Sequence, residues 1–221
     1  MGIVHAQAQV CGTRPLLWNH FGPESIPLEV KQKTGKAGNN PAEWKASVLA
    51  TENGQLFLEP AAIFGCLRGG AKFTSRKRGT LQPIVVATLQ VCDNRILIDR
   101  WVPAKLERLT PTEDMPVYLD VRTVRNPATG GRNVRYRVAA APGWQATFRI
   151  AWDNTLLSEE EMEAVVRDSG RFVGLGDGRA IGLGRFDVVQ FSMGEGQNAE
   201  KQTTKRGVVR DSKKNLAAGR A

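Results

Sequence analysis

An α+β fold is predicted by three observations on the 221 residues. Runs that alternate apolar with polar residues, as strands buried on one face do, open the chain and recur along it. Two segments with helix start signals lie among them. A stretch with five glycines in thirteen residues, GLGDGRAIGLGRF from Gly174 to Phe186, follows the second helix and leads into the last strand. With 41% hydrophobic residues there is enough to bury for one domain.

The first strand is Ile3 to Val10, where Val4, Ala6, Ala8 and Val10 alternate with His5, Gln7 and Gln9. Pro15 to Phe21 and Ser25 to Leu28 read as loop, and the Gly/Asn-rich KQKTGKAGNN, Lys31 to Asn40, as a mobile segment. Trp44 to Ala50 and Leu56 to Leu58 are then expected as strands of a hairpin around the Asn53-Gly54 pair. The first helix starts at Pro60, a favoured first helical position, and runs to Lys72 with Ile63, Phe64 and Leu67 on one face. Its Gly65, Gly69 and Gly70 each lower helix propensity by roughly 1 kcal/mol against Ala, which implies close packing or a nearby ligand.

Pro83 to Val91 and Arg95 to Ile98 are predicted as strands from their β-branched content. Pro103 to Pro116 is a connector. Val117 to Val138 has two alternating arms about a turn at Asn126 to Gly131, predicting a long β-hairpin that projects because it is rich in arginine and poor in large apolar residues. Trp144 to Trp152 is a half-buried strand. The second helix has Ser158 as N-cap, Glu161 completing a capping box, Leu157 and Met162 as a hydrophobic staple, and Gly170 as the expected C-terminal stop. Arg185 to Phe191 is the final strand, and Ser192 to Ala221 turns polar and basic, as disordered tails do. Without insertions at about 12–58 and 99–143, the order in residues 1–191 is βαβ followed by βαβ, the ferredoxin-like or RRM-like arrangement.

Charge narrows the function. The net charge of +9 is clustered: Lys31, Lys33 and Lys36; Lys72, Arg76, Lys77 and Arg78; Arg122, Arg125, Arg132, Arg135 and Arg137 in a segment without an acid; and seven bases against one Asp from Lys201 onward. Clusters of this kind are the electrostatic footprint of a nucleic-acid partner. No run of about 18 apolar residues and no leader-like start is visible, so a cytoplasmic protein without membrane attachment is expected. Cys11, Cys66 and Cys92 are odd in number without CxxC spacing, which predicts reduced thiols and neither disulfides nor a metal site.

The glycine-rich stretch lies between a helix and a following strand. Nucleotide-binding glycine loops have the opposite order and open a helix, so neither a P-loop nor a dinucleotide pocket is predicted, and no cofactor is expected. Backbone N–H groups of Gly174, Gly176, Gly178, Gly182 and Gly184, with Arg179 and Arg185, could instead meet the phosphates of a nucleic-acid strand. A tight connection over the sheet is the other reading.

Phe172 to Phe186, placed between a helix and the last strand, resembles the glycine-rich loop of the RAMP superfamily (repeat-associated mysterious proteins), RNA-binding subunits of CRISPR systems. Leu58 to Arg68 is similar to the Pro-led, Gly- and Arg-containing helix start of those proteins, and the basic hairpin to the thumb of their backbone subunit. The same layout also resembles phage-borne proteins of similar length. The resemblance implies a non-catalytic subunit that oligomerises along single-stranded guide RNA with further copies of itself and other effector subunits. It also implies that the basic residues grip phosphates without reading bases. Superfamily members that cut RNA often use a His, and His5 and His20 are the two present, neither marked by a neighbouring partner. An RNA-processing endoribonuclease and a phage structural or DNA-binding protein are the alternatives.

Overall fold

The computed structural model describes residues 2–20, 43–77, 79–112, 114–125 and 130–194. The fold is α+β and its strand pairings are antiparallel. Strand β1 (Ile3–Gly12) lies between β8 (Gln145–Asp153) and β9 (Phe186–Gly194). Beyond β8 lie β5 (Ile96–Trp101) and β3 (Gln55–Leu58), and the short β4 (Gln90–Val91) also pairs with β8. In register, Ala8 faces Phe148 on one side and Phe191 on the other. A three-stranded sheet joins β2 (Leu16–Leu17), β7 (Arg132–Ala140) and β6 (Val117–Arg125).

Alternation decides the layers. Ala6, Ala8 and Val10 of β1 and Ala146, Phe148, Ile150 and Trp152 of β8 are buried, while Gln7, Gln145, Thr147 and Arg149 stay exposed. Onto the buried side pack α2 (Pro60–Gly70), α3 (Gln82–Thr88) and α4 (Glu159–Asp168), through Ile63, Cys66, Leu67, Val85, Met162, Val165 and Val166. Among the described residues no helix is long and apolar enough to cross a membrane.

The start of α4 matches its sequence signals. Ser158 Oγ accepts from the Glu161 N–H while Glu161 returns a bond to the Ser158 N–H, and Leu157 and Met162 are both buried.

Four expectations are corrected. Residues 44–50 do not form a strand: Glu43–Ala46 is a short helix, α1, closed by Ser47 donating to the Trp44 carbonyl, because burying the Trp44 ring outweighs local strand preference. Only a single bridge, Ala50 to Leu56, spans the turn at Gly54. Residues 83–88 are helical because Leu81, Val85 and Leu89, four apart, all face the core, and Pro83 suits a helix start. Gly170 is not the stop of α4. The chain continues through a π turn, Ser169–Val173, and the left-handed residue is Gly174; Gly170 is needed because a Cβ there would lie 2.2 Å from the Phe186 carbonyl oxygen. Finally, Ser192 to Gly194 belong to β9 rather than to a tail. The remainder of the tail from residue 195, Lys31, Lys33, Lys36 and Arg78, and most of the turn at 126–131 lie outside the described residues.

Candidate functional site

The glycine-rich loop is first of all a self-supporting turn. All five glycines from Gly174 to Gly184 have positive φ. A Cβ at Gly184 would sit 1.8 Å from the Leu175 carbonyl oxygen, and one at Gly176 2.5 Å from that of Leu17. Backbone bonds stitch the loop to the segment after β1: Asp177 N–H donates to Leu17, Gly184 N–H to Pro15, and Leu175 N–H to Gly184. These bonds make most of the loop a tight connection over the sheet.

One concavity is different. Gly178 is left-handed and Arg179–Ile181 turns as a short 3-10 helix, so the N–H groups of Gly178, Arg179 and Ala180 follow one another without an acceptor among the described residues. That arrangement has the backbone form of a nest, a shape able to receive an anion, and the Arg179 side chain is exposed. Asp177, next to it, would repel an anion. Its carboxylate is instead paired with Arg137 Nε at 2.7 Å.

Arg137 consequently does not project. It is buried among Asp177 and Asp120 (3.9 Å) and fixes the root of the basic arm against the loop. That root, with Val117, Tyr118, Val138, Ala139 and Ala140, is core, contrary to the expectation of a wholly projecting hairpin. Tyr118 and Ala139 pack with Leu17 and with Leu183 of the loop. Farther out, Arg122 faces Arg135 and Arg125 faces Arg132 directly across the strand pair. Arg122 bonds to Asp120, whereas the exposed Arg125, Arg132 and Arg135 have no acidic partner among the described residues. The two rungs are three residues apart on each strand and so lie on opposite faces of the ribbon; like charges placed opposite each other destabilise a strand pair, and an external anion could complement either rung of this ladder.

The remaining basic residues divide. Lys72 and Lys77 are exposed and unpaired among the described residues, but Arg76 is held by Glu161 at 3.2 Å and by the Leu156 carbonyl. Arg185 is half-buried, with one terminal nitrogen enclosed and lacking a hydrogen bond. Beneath the loop sits Cys66, whose thiol is pushed up to about 12 by burial, against the opposing pull of Arg179, the Gly174 N–H and Arg185.

Sequence reading gave His20 no partner. In the fold, its Nδ1 lies 3.6 Å from Glu59 Oε2, at a cleft of about 280 Å³ lined also by Trp18, Gly176, Asp177 and Arg179. Thirty-nine positions separate the pair, and no local pattern links them. His5, by contrast, points to Cys92 Sγ at 3.9 Å on the open face of the sheet.

No family profile matches the sequence, and no curated protein does. Among solved structures the chain is similar to one from "Cryo-EM structure of the Type III-B Cmr-beta bound to cognate target RNA", with a TM-score of 0.50 at 12% identity. The match covers 87% of this chain and 61% of that one, so the chain spans less than two thirds of it. At that identity the shared property is the fold.

Proposed function

We propose that the chain is a cytoplasmic, non-catalytic RNA-binding backbone subunit of the RAMP type, which oligomerises along guide RNA in a CRISPR ribonucleoprotein beside other effector subunits. Its strand order β9-β1-β8-β4, with helices between β1 and β4 and between β8 and β9, fits the ferredoxin-like arrangement. The observation that carries the reading is the set of exposed arginines Arg125, Arg132 and Arg135, without an acidic partner among the described residues, on an arm whose root is clamped to the glycine-rich loop. Likeness of fold to a chain from an RNA-bound complex supports it. Arg122, Arg125, Arg132 and Arg135, with Arg179, Lys72 and Lys77, grip phosphates, and bases are not read by these contacts. The test is size-exclusion chromatography of the purified protein with its absorbance ratio, before and after ribonuclease. Co-purified RNA whose digestion collapses a large species is the expected result; a nucleic-acid-free monomer counts against the reading.

A second reading, an endoribonuclease, is favoured by the His20–Glu59 pair beside Arg179. There His20 would move the proton and Arg179 would stabilise the developing charge. Cleavage of labelled RNA by the native chain that is lost in His20→Ala would replace the first reading with this one.

A further inference from the structure

Two phenylalanines at the far end of α2 have no place in the core. Phe73, just past the helix, and Phe172, in the π turn, are 57% and 47% exposed, yet their rings lie 5.2 Å apart at 44°. The backbone brings them together. A Cβ at Gly70 would fall 2.6 Å from Ser169 Cα, so α2 and the π turn approach as only glycine permits, and Val173 packs over Gly69. Phe73 N–H donates to Gly70, and Thr74 is tied by its hydroxyl to Asp168 Oδ2 at 2.7 Å, so the chain on both sides of Phe73 is fixed while its ring faces out.

The surroundings state what could cover it. Lys72 and Arg171 adjoin the two rings in sequence and Lys77 follows four residues after Phe73. All three are exposed and without an acidic partner among the described residues. Paired aromatic faces among unneutralised cations match single-stranded nucleic acid, whose bases stack while its phosphates meet the charge. The apolar contact surface of a protein partner would not call for three free cations.

We propose that Phe73 and Phe172 form a shelf on which one base of a single-stranded RNA stacks, with Lys72, Lys77 and Arg171 on the adjoining phosphates. This rests on the RNA-binding reading above and adds to its backbone contacts a stacking site away from the glycine loop. It takes any base, because every base has a π face.

The test measures binding of the full chain to a labelled oligouridine of roughly 12 nucleotides and to an abasic strand of equal length. Phe73→Leu/Phe172→Leu should weaken oligouridine binding roughly five- to a hundredfold and leave the abasic strand unaffected, while Phe172→Tyr keeps native affinity. Unchanged oligouridine affinity in the double variant overturns the shelf and leaves the RNA-binding reading standing. The same follows if affinity is unchanged but the RNA-free protein shifts its sedimentation, because a second copy then covers the rings. A wild-type chain that binds neither strand overturns both readings. Photo-crosslinking of wild-type protein to 4-thiouridine RNA needs no variant: crosslinks on Phe73 or Phe172 peptides are expected, and crosslinks confined to other peptides overturn the shelf.

Discussion

Arg137 of β7 and Asp177 of the glycine-rich loop lie 2.7 Å apart, an ion pair that ties the root of the basic arm to the loop. Both ends matter for the charge seen by an anion. The pair neutralises the acid beside the nest of Gly178, Arg179 and Ala180, and it positions the Arg122 to Arg135 rung on the same strand face.

Removal of Arg137 leaves Asp177 without its counter-charge and the buried Asp120 with Arg122 alone. Breaking a buried pair by removing one partner costs about 3–5 kcal/mol, so Arg137→Met should lower the urea midpoint strongly. Asp177→Asn should cost less, on the order of 1 kcal/mol, because the Asp177 side chain is 33% exposed and Arg137 retains Asp120. Equal losses would show that the pair does not anchor the arm.

The loop glycines separate by their surroundings. Gly184→Ala places a methyl group 1.8 Å from the Leu175 carbonyl oxygen and should unfold the loop, with a loss of several kcal/mol. Gly182→Ala meets nothing within 4 Å and bears only the cost of φ +83°, about 1–2 kcal/mol. Thermal melts of the two variants check the order. Gly182, not Gly184, is thus the position at which a bulkier residue can test RNA contact in a folded chain.

Local signals were legible where local physics decides. Ser158 with Glu161, the alternation from Ile3 and from Trp144, and Pro60 each specify an element that the fold contains. Where tertiary burial decides, they misled: Val85 and its neighbours read as a strand until Leu81, Val85 and Leu89 are seen to share one buried face. The clustered bases were plain in the sequence, but the inward turn of Arg137 was not, because its partner Asp177 is forty residues away. The pairing of Phe73 with Phe172 and of His20 with Glu59 was hidden for the same reason.

Cys66 makes stability fall at alkaline pH. Burial raises its folded value to about 12 from an ordinary 9.0, so the unfolded chain releases this proton first. The contribution is complete below pH 9 and is lost as pH climbs from there toward 12. Cys66→Ser or Cys66→Ala should flatten that part of the stability profile, measured by urea unfolding from pH 8 to 10.5. In the native chain at pH 8, Cys11 and Cys92 are half-buried and should react with a thiol reagent, whereas Cys66 should react only on unfolding.

The arginine ladder predicts two effects of opposite sign from one substitution. Arg125 and Arg132 face each other directly, and like charges so placed destabilise a strand pair by roughly 0.2–1 kcal/mol. Arg132→Thr therefore relieves repulsion and should raise the melting temperature slightly. If the same guanidinium grips a phosphate, the variant should also bind single-stranded RNA more weakly, and its log Kd against log salt should lose about 0.7 in slope per contact removed. Combined substitution of Arg125, Arg132 and Arg135 should lose about 2 in slope if each holds one phosphate. A gain in stability with an unaltered slope would mean that the repulsion is not kept for RNA, and the arm would then have to be assigned to contacts between protein subunits.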